Sequence, residues 1–436
     1  MRPKLLPLAL GAALIGGPLA SAAAGAPLLS SLRLPATVEA QQGHARFLVG
    51  IRLAEPARLT VQVIAKDGSI AQGKSDTDAR PAGRAYLRID AVDNLGYQLP
   101  AGRYKLRIQA LSSSAATGTL REKAFTLKLT PPHGRLDVYT VPLWKAVRSQ
   151  NRIGGKVNGQ FVAVAAPKGP ASQAGIRSGD LITKIGDTVV DTPGAWETAL
   201  RALAADTAVT VTYLRNGRQV EAQVTPKADW EPEPNYAGAL ANVARRSPKS
   251  LTLAFAQVRQ QLDANDANRA RTLLKTWSIP WRRSALGQFL DGEIFSAGKQ
   301  WKQALGAYNR AAKLDPRMAI VDRARGITLL EMGKPERAIG VLAAGERSDP
   351  KDAELAGYQG YAFLRAERNE DAALAAQRAV RLDPLYGDGF LPLGIALLAQ
   401  EQRAPGLKAL RRGLLLIDDG ARADRLIAAY LNPADP

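Results

Sequence analysis

From residue 27 to about 130, apolar and polar residues alternate in short runs: "ARFLVGIRL", "ARLTVQVIA", "RAYLRIDAV", "RYKLRIQAL" and "AFTLKLT". A period of two is the signature of strands with one buried face. Lys66-Asp67-Gly68, Asp93-Asn94-Leu95-Gly96 and Pro100-Ala101-Gly102 supply turn chemistry between them, and this many short strands predicts an all-β sandwich over 27–130. Tyr104, Leu106 and Ile108 share one face of their strand and are expected to point inward. From 151 to 228 the pattern is mixed: "GGKVNGQFVAVAAP", "ASQAG", "DLITKIGDTVV", "PGAWETALRALA" and "AVTVTYLRNGRQVEAQVTP" read as hairpin, short helix, two strands, longer helix and hairpin. Asn216-Gly217 marks a tight hairpin turn. Residues 131–150, opened by Pro131-Pro132, read as a connector, and "ADWEPEPN" opens a linker over 229–249.

Beyond residue 250 the strand pattern gives way to Ala- and Leu-rich helical spacing, and the chain repeats. Asp-Pro pairs place prolines at 316, 350 and 384; Gly292, Gly326, Gly360 and Gly394 keep the same interval of 34 residues, as do Ala304, Ala338 and Ala372, with Gly406 in the fourth unit. Ala270 falls in register one period upstream, which predicts about five helical hairpins over 250–434, the first degenerate. Small residues recur where paired helices approach closely, and each Asp-Pro ends one hairpin and begins the next. These units resemble tetratricopeptide (TPR) repeats, with the aromatic positions thinly filled.

Pro170-Ala171, Ala174-Gly175-Ile176, Gly179-Asp180-Leu181-Ile182 and Ile185-Gly186-Asp187 resemble a PDZ domain of the bacterial kind attached to HtrA and carboxy-terminal processing proteases. Each piece also has a local reason: Gly175 ends the short helix in a left-handed cap, and Gly179-Asp180 turns the chain into a buried strand. "DAVDNLGYQLPAGRYKLRIQA" is similar to the immunoglobulin-like module of flagellar hook-capping proteins, although Ile89-Asp90-Ala91 stands where that family has Trp-Asp-Gly. The expected fold is therefore multidomain: an N-terminal all-β immunoglobulin-like sandwich, a central α+β PDZ domain and a C-terminal all-α TPR solenoid.

Residues 1–26 read as an export signal: Arg2 and Lys4 precede an apolar run from Leu5 to Leu19, and "SAAAGA" offers small residues for cleavage. This predicts an exported protein, extracellular, periplasmic or associated with the cell envelope. The formal charge is +19; without Arg2 and Lys4 it is 57 − 40 = +17. The excess is spread along the chain, which suits loose attraction to anionic envelope surfaces and matches no base-reading motif.

Catalytic chemistry has little to work with. The chain has no cysteine and only His44 and His133, neither in a serine-protease or metal-ligand setting. Ser247, Lys249 and Ser250 are close in sequence, but "RRSPKS" reads as the start of a helix with Ser250 as its cap. Asp76, Asp78, Asp90 and Asp93 lack the spacing of a calcium loop. No cofactor, metal or catalytic residue is expected.

Binding is the remaining chemistry. The PDZ resemblance implies that an extended peptide adds as a strand beside the longer helix, with a glycine-bearing loop receiving its terminal carboxylate. The loop is placed at Ile153, Gly154, Gly155 and Lys156, and the helix wall at Trp196, Leu200 and Leu203. The TPR resemblance implies a concave surface formed by the first helix of each pair. Its expected partner-binding residues are Phe289, Glu293, Arg323, Ile327 and Glu331, continuing through Tyr361, Arg365, Leu391 and Ile395. The functional expectation is a non-enzymatic scaffold for peptide or protein partners. A protease-associated delivery protein of the envelope and a wall-binding structural protein are the alternatives.

Overall fold

The computed structural model describes residues 27–431 except 42–44, 77, 96, 113–117, 156, 230–233, 248 and 418. Residues 1–26, expected as an export signal, His44 and Lys156 lie outside the described residues.

The N-terminal region folds into two sheets. One has the order β1 (Leu29–Arg33), β3 (Arg46–Leu53), β6 (Gly83–Asp90); the other runs β2 (Thr37–Gln41), β8 (Gly118–Thr130), β7 (Gly102–Ser112), β4 (Ala57–Ile64), β5 (Ile70–Ser75). Alternation decides which side is core: Phe47, Val49, Ile51 and Leu53 of β3 face Tyr104, Leu106 and Ile108 of β7, all buried as their spacing predicts. The Phe125 ring joins the two sheets, 5.2 Å from Phe47 and 5.8 Å from Tyr104.

The central domain begins earlier than its sequence pattern suggested. The stretch 131–150, expected as a connector, supplies β9 (Gly134–Arg135), β10 (Val138–Pro142) and α1 (Lys145–Asn151). β10 pairs antiparallel with β11 (Gln160–Ala165), across the intervening helix. The chain continues through α2 (Pro170–Gln173), β12 (Leu181–Ile185), β13 (Thr188–Val189), α3 (Pro193–Arg201), β14 (Val209–Arg215), β15 (Arg218–Val224) and β16 (Lys227–Ala228). The main sheet has the order β10-β11-β12-β14-β15, while β9 pairs with β16. The expected hairpin through Val157-Asn158-Gly159 does not form. Gly159 instead permits a close approach, since a Cβ there would meet the Ile182 carbonyl oxygen at 2.4 Å.

The motif "PASQAGIRSGDLI" serves this fold. Gly175 and Gly179 take φ of 85° and 96°, conformations open to glycine. Asp180, 1% exposed, accepts the N–H of Arg177 and two bonds from the Arg215 guanidinium at 2.8 and 2.7 Å. Arg215 also bonds the Gly175 carbonyl, which ties the turn to the hairpin at Asn216-Gly217.

The rest is helical. Part of the expected linker forms α4 (Tyr236–Arg246), which packs on β11. Five antiparallel pairs follow: α5 (Leu251–Asp263) with α6 (Ala267–Lys275), then, after the short α7 (Ile279–Arg282), α8 (Ala285–Ala297) with α9 (Trp301–Leu314), α10 (Ala319–Glu331) with α11 (Pro335–Ser348), α12 (Ala353–Arg365) with α13 (Asn369–Leu382), and α14 (Gly387–Ala399) with α15 (Arg403–Leu416). The pairs share one turn geometry: Asn265, Lys299, Gly333, Glu367 and Glu401, one period apart, all have φ between 55° and 68°. The recurrent glycines mark close helix approach; a Cβ at Gly292, Gly326 or Gly394 would meet Tyr308, Leu342 or Leu410 at 2.4 to 2.5 Å. A last helix, α16 (Gly420–Leu426), runs into a π-helical turn at Ile427–Leu431.

Both other domains pack on this array. Val141, Leu143, Trp144 and Phe161 of the central domain share a core with Leu251, Phe255, Phe289 and Ile294. Trp144 meets the Phe255 ring at 5.6 Å and the Phe289 ring at 6.5 Å, both edge-on. At the far end, Arg46 and Arg88 of the β domain bond the Ile417 carbonyl, and Arg411 lies 4.7 Å over the Tyr86 ring.

Candidate functional site

Each Asp-Pro corner of the repeats does two things. Preceding a proline, the aspartate is extended, with φ near −140° in all three, and ends its helix. One carboxylate oxygen then closes an Asx turn, accepting the backbone N–H two residues on: Arg317 for Asp315, Lys351 for Asp349, Leu385 for Asp383. The other oxygen faces the central domain. Asp315 Oδ2 accepts the Lys145 N–H at 3.1 Å and Asp349 Oδ2 accepts the Gly194 N–H at 2.8 Å, while Asp383 pairs with the Arg201 guanidinium. Three corners, one period apart, thus hold the start of α1 and both ends of α3.

This docking creates the site. α3 starts at Thr192, whose side chain accepts the Ala195 N–H, followed by Pro193 at the first helical position. Together with β10 it forms a groove, and β10 is the terminal strand of its sheet, so one of its edges pairs with no strand among the described residues. The repeat array closes the groove into a cavity of about 370 Å³. Tyr139, Thr140, Pro142 and Trp144 line one side and Trp196, Glu197, Thr198 and Arg201 the other. Phe255, Arg259, Phe289, Ile320, Arg323, Asp352, Glu354 and Asp383 form the far wall.

The wall is charged but internally balanced. Arg323 is paired with Asp352 at 3.0 Å and Glu354 at 2.9 Å; burial opposes its charge, but the two carboxylates outweigh that and push its pKa up. Arg259 likewise bonds Asp263 and Glu293, and burial works against its charge less than these partners favour it. Burial pushes the Tyr139 phenol up, with Asp263 adding to the effect. Glu197 is exposed into the cavity; desolvation by the protein around it lifts its carboxyl above the ordinary range, and the Arg201 charge only partly offsets this. The cavity suits a neutral or zwitterionic chain with aromatic contacts and main-chain bonding groups.

The sequence-predicted residues are distributed unevenly over this site. Trp196 lines the cavity and is also core, 6% exposed; Leu203 is core alone, and half-buried Leu200 packs against that core. The expected carboxylate loop is displaced: Ile153, Gly154 and Gly155 follow α1 instead of leading into an edge strand. Ile153 packs against the core shared with the helices, and among the described residues nothing beyond their chain neighbours lies within 4 Å of a would-be Cβ at Gly154 or Gly155.

On the repeats, Phe289 and Arg323 line the cavity, but Phe289 is 1% exposed and packed against Trp144, so it belongs to the docking core. Glu293 is engaged by Arg259 and by the Tyr308 hydroxyl. Leu391 is buried and, with Tyr361 and Ile395, packs in a cluster that includes Leu48 and Tyr86 of the β domain. Half-buried Ile327 and exposed Glu331 and Arg365 lie outside these contacts. Much of the expected partner surface is therefore covered by the chain's own domains. Missed from sequence were Tyr139, Thr140, Arg201, Arg259, Asp352, Glu354 and Asp383; the only available signal was the 34-residue recurrence of the Asp-Pro pairs.

Among the described residues, no group of three or more His, Asp or Glu could hold a metal, and no helix is long and apolar enough to cross a membrane. The Ser250 hydroxyl accepts the Leu253 N–H as the cap of α5. The carbonyl of His133 accepts the Asp229 N–H beside β9.

Residues 147–225 match the PDZ domain family. The chain is 38% identical over 77 residues to a serine protease Do-like HtrA of Lactococcus lactis subsp. cremoris, covering 17% of this chain and 19% of that protein. Against its counterpart in L. lactis subsp. lactis it is 28% identical over 135 residues, covering 31% and 30%. A TPR repeat-containing protein of Treponema pallidum is 33% identical over 117 residues, covering 26% of this chain and 14% of that one. The chain thus spans less than a third of each relative. Among solved structures, the TPR protein YrrB aligns with a TM-score of 0.34 at 16% identity, covering 43% of this chain and 97% of that one. A MamA double mutant aligns with a TM-score of 0.33 at 20% identity, covering 42% and 94%. The chain combines a β-rich N-terminal region, a PDZ domain and a helical array resembling a TPR solenoid.

Proposed function

We propose that this chain is an exported, non-enzymatic adaptor that binds an extended segment of a protein partner in the groove between β10 and α3. The observation carrying this reading is the unpaired edge of β10 facing a cavity with α3 opposite. An incoming strand there gains main-chain hydrogen bonds from the edge and side-chain contacts from α3 and the repeat wall. In this reading the TPR-like array is the second wall of the PDZ groove, and the two modules act on one ligand. The β-rich region is read as an immunoglobulin-like sandwich, supported by its two facing sheets and by the Tyr104 hydroxyl bonding back to the Pro100 carbonyl at 2.8 Å. Export rests on the pattern of residues 1–26, and N-terminal sequencing of the protein recovered from cell fractions tests it.

A peptide array probed with the full chain, followed by calorimetry on the hits, tests the groove. Thr198→Trp plugs it from the α3 side and is expected to abolish binding while the melting temperature is retained. Hits whose affinity is indifferent to the plug, or an array without hits, would overturn the proposal. The similarity to HtrA proteases favours a second reading, in which the partner is a separately encoded protease. A change in casein cleavage by a purified envelope protease on adding the chain supports it; serine-dependent cleavage by the chain itself, lost in Ser250→Ala, would refute the non-enzymatic reading.

A further inference from the structure

A second cavity, about 860 Å³, begins where the groove ends: Pro142, Trp144, Gln160 and Pro193 line both. Its charges are unequally engaged. The bordering carboxylates are occupied, Asp315 by the N–H groups of Lys145 and Arg317, Asp349 by those of Gly194 and Lys351, and Asp191 by the Lys351 ammonium. The cations are not. Among the described residues, Arg148 bonds only neutral oxygens, the Gly154 carbonyl and the Asn158 side chain. Lys145, Arg152 and Arg317 line the same cavity, and none has a carboxylate within ion-pair distance among the described residues. Burial draws the Arg148 pKa down, and the neighbouring positive charge of Arg317 adds to the shift.

We infer that this cavity is a subsite for acidic side chains of the bound segment, Asp or Glu residues flanking the stretch that lies along β10. The inference rests on the groove reading above and names the chemistry of its ligand. A chain leaving the groove past Pro142 and Trp144 advances about 3.3 Å per residue, so a few residues fill the cavity. Gln160, 2% exposed at the junction, offers an amide to the passing main chain. Four cations converging on one cavity, three of them exposed, sum their potentials on a carboxylate there, and salt screens that attraction.

The test is fluorescence anisotropy on the full chain with array-derived peptides in matched sets. Each core sequence carries Asp-Glu-Asp at one flank, at the other flank, or Ser-Ser-Ser at both. One acidic flank is expected to tighten binding about tenfold or more, with a steep fall at high salt. The advantage is expected to disappear in Arg148→Gln/Arg317→Gln. The exposed pair Lys145→Gln/Arg152→Gln provides the same readout without touching the hydrogen bonds of Arg148. Equal affinity for acidic and serine flanks, or an acidic advantage that survives both double variants, overturns the subsite while leaving the groove standing. Inorganic phosphate that stabilises the chain as strongly as the acidic peptides, even with the groove plugged by Thr198→Trp, reassigns the cavity to free anions and likewise overturns it. An array without hits removes the groove and the subsite together.

Discussion

Asp349 Oδ2 accepts the backbone N–H of Gly194 at 2.8 Å, across 155 residues of chain. Asp349 is a repeat corner, and its own Asx turn needs only the other oxygen. Gly194 has no side chain to hold the helix off: a Cβ there would meet the backbone of Lys351 and Asp352 at 2.4 Å. The two residues together define how α3 seats on the array.

Asp349→Ala should therefore cost about 1–3 kcal/mol, since it leaves a buried N–H at the start of α3 without its acceptor. Gly194→Ala should act differently, forcing α3 away from the array and opening the groove. Urea unfolding checks the first, and small-angle scattering with limited proteolysis checks the second. Unchanged scattering and protease resistance in Gly194→Ala would show that the seating is not fixed by this contact.

Arg201 and Asp383 form the third rung, with Asp383 3% exposed. A buried carboxylate that loses its cation is penalised more than one neutralised with it. Arg201→Ala should thus destabilise more than Arg201→Ala/Asp383→Asn, with a coupling of about 1–3 kcal/mol in a double-mutant cycle by chemical denaturation. Additive effects would mean that the pair is solvated.

Glu197 gives a pH signature. Although Glu197 is exposed into the cavity, desolvation by the surrounding protein raises its folded pKa above the unfolded value of about 4.5, the Arg201 charge offsetting part and Glu354 adding to the rise. The folded state therefore holds the proton more tightly, so the ionised form lowers stability at neutral pH, and this penalty fades as pH falls toward the unfolded pKa. Glu197→Gln should melt above the parent at about pH 7.5, the two curves converging near pH 4.5. Scanning calorimetry across that interval decides it, and a constant offset would contradict the assignment.

Within the helical pairs, Glu367 holds φ of 60° where the third pair has Gly333. The left-handed conformation is unfavourable for a residue with a Cβ, and Glu367 is exposed. Glu367→Gly should stabilise by about 0.5–1 kcal/mol, read as a higher urea midpoint at unchanged slope. A lower midpoint would mean that the Glu367 side chain contributes more than its backbone geometry costs.

The repeat array and the strands flanking "SGDLI" were legible because local period and turn chemistry dictate them: helical glycines recur against Tyr308, Leu342 and Leu410, and Asn216-Gly217 closes its hairpin as expected. The groove was only half legible. Trp196, expected on the helix wall from the spacing of α3, lines the cavity while mostly buried in core, but the facing strand was assigned to the wrong side of α1. Val157-Asn158-Gly159 looks like a hairpin turn, and Val138–Pro142 is short and ends in proline; nothing local reveals that a helix separates two paired strands. The far wall was invisible for a different reason. Arg201 and Asp383 are ordinary charges until the two modules dock, and docking is a property of shape across nearly two hundred residues.

The three corner aspartates also bear on how this chain can change. A free solenoid is modular: a unit can be inserted or deleted and the neighbours close up. Here the span from Asp315 to Asp383 is matched to one rigid neighbour, the start of α1 at one end and the close of α3 at the other. One unit more or fewer between them would leave a rung without its counterpart. The middle of the array has in effect become a fixed-length gauge, and variation in repeat number is confined to its ends.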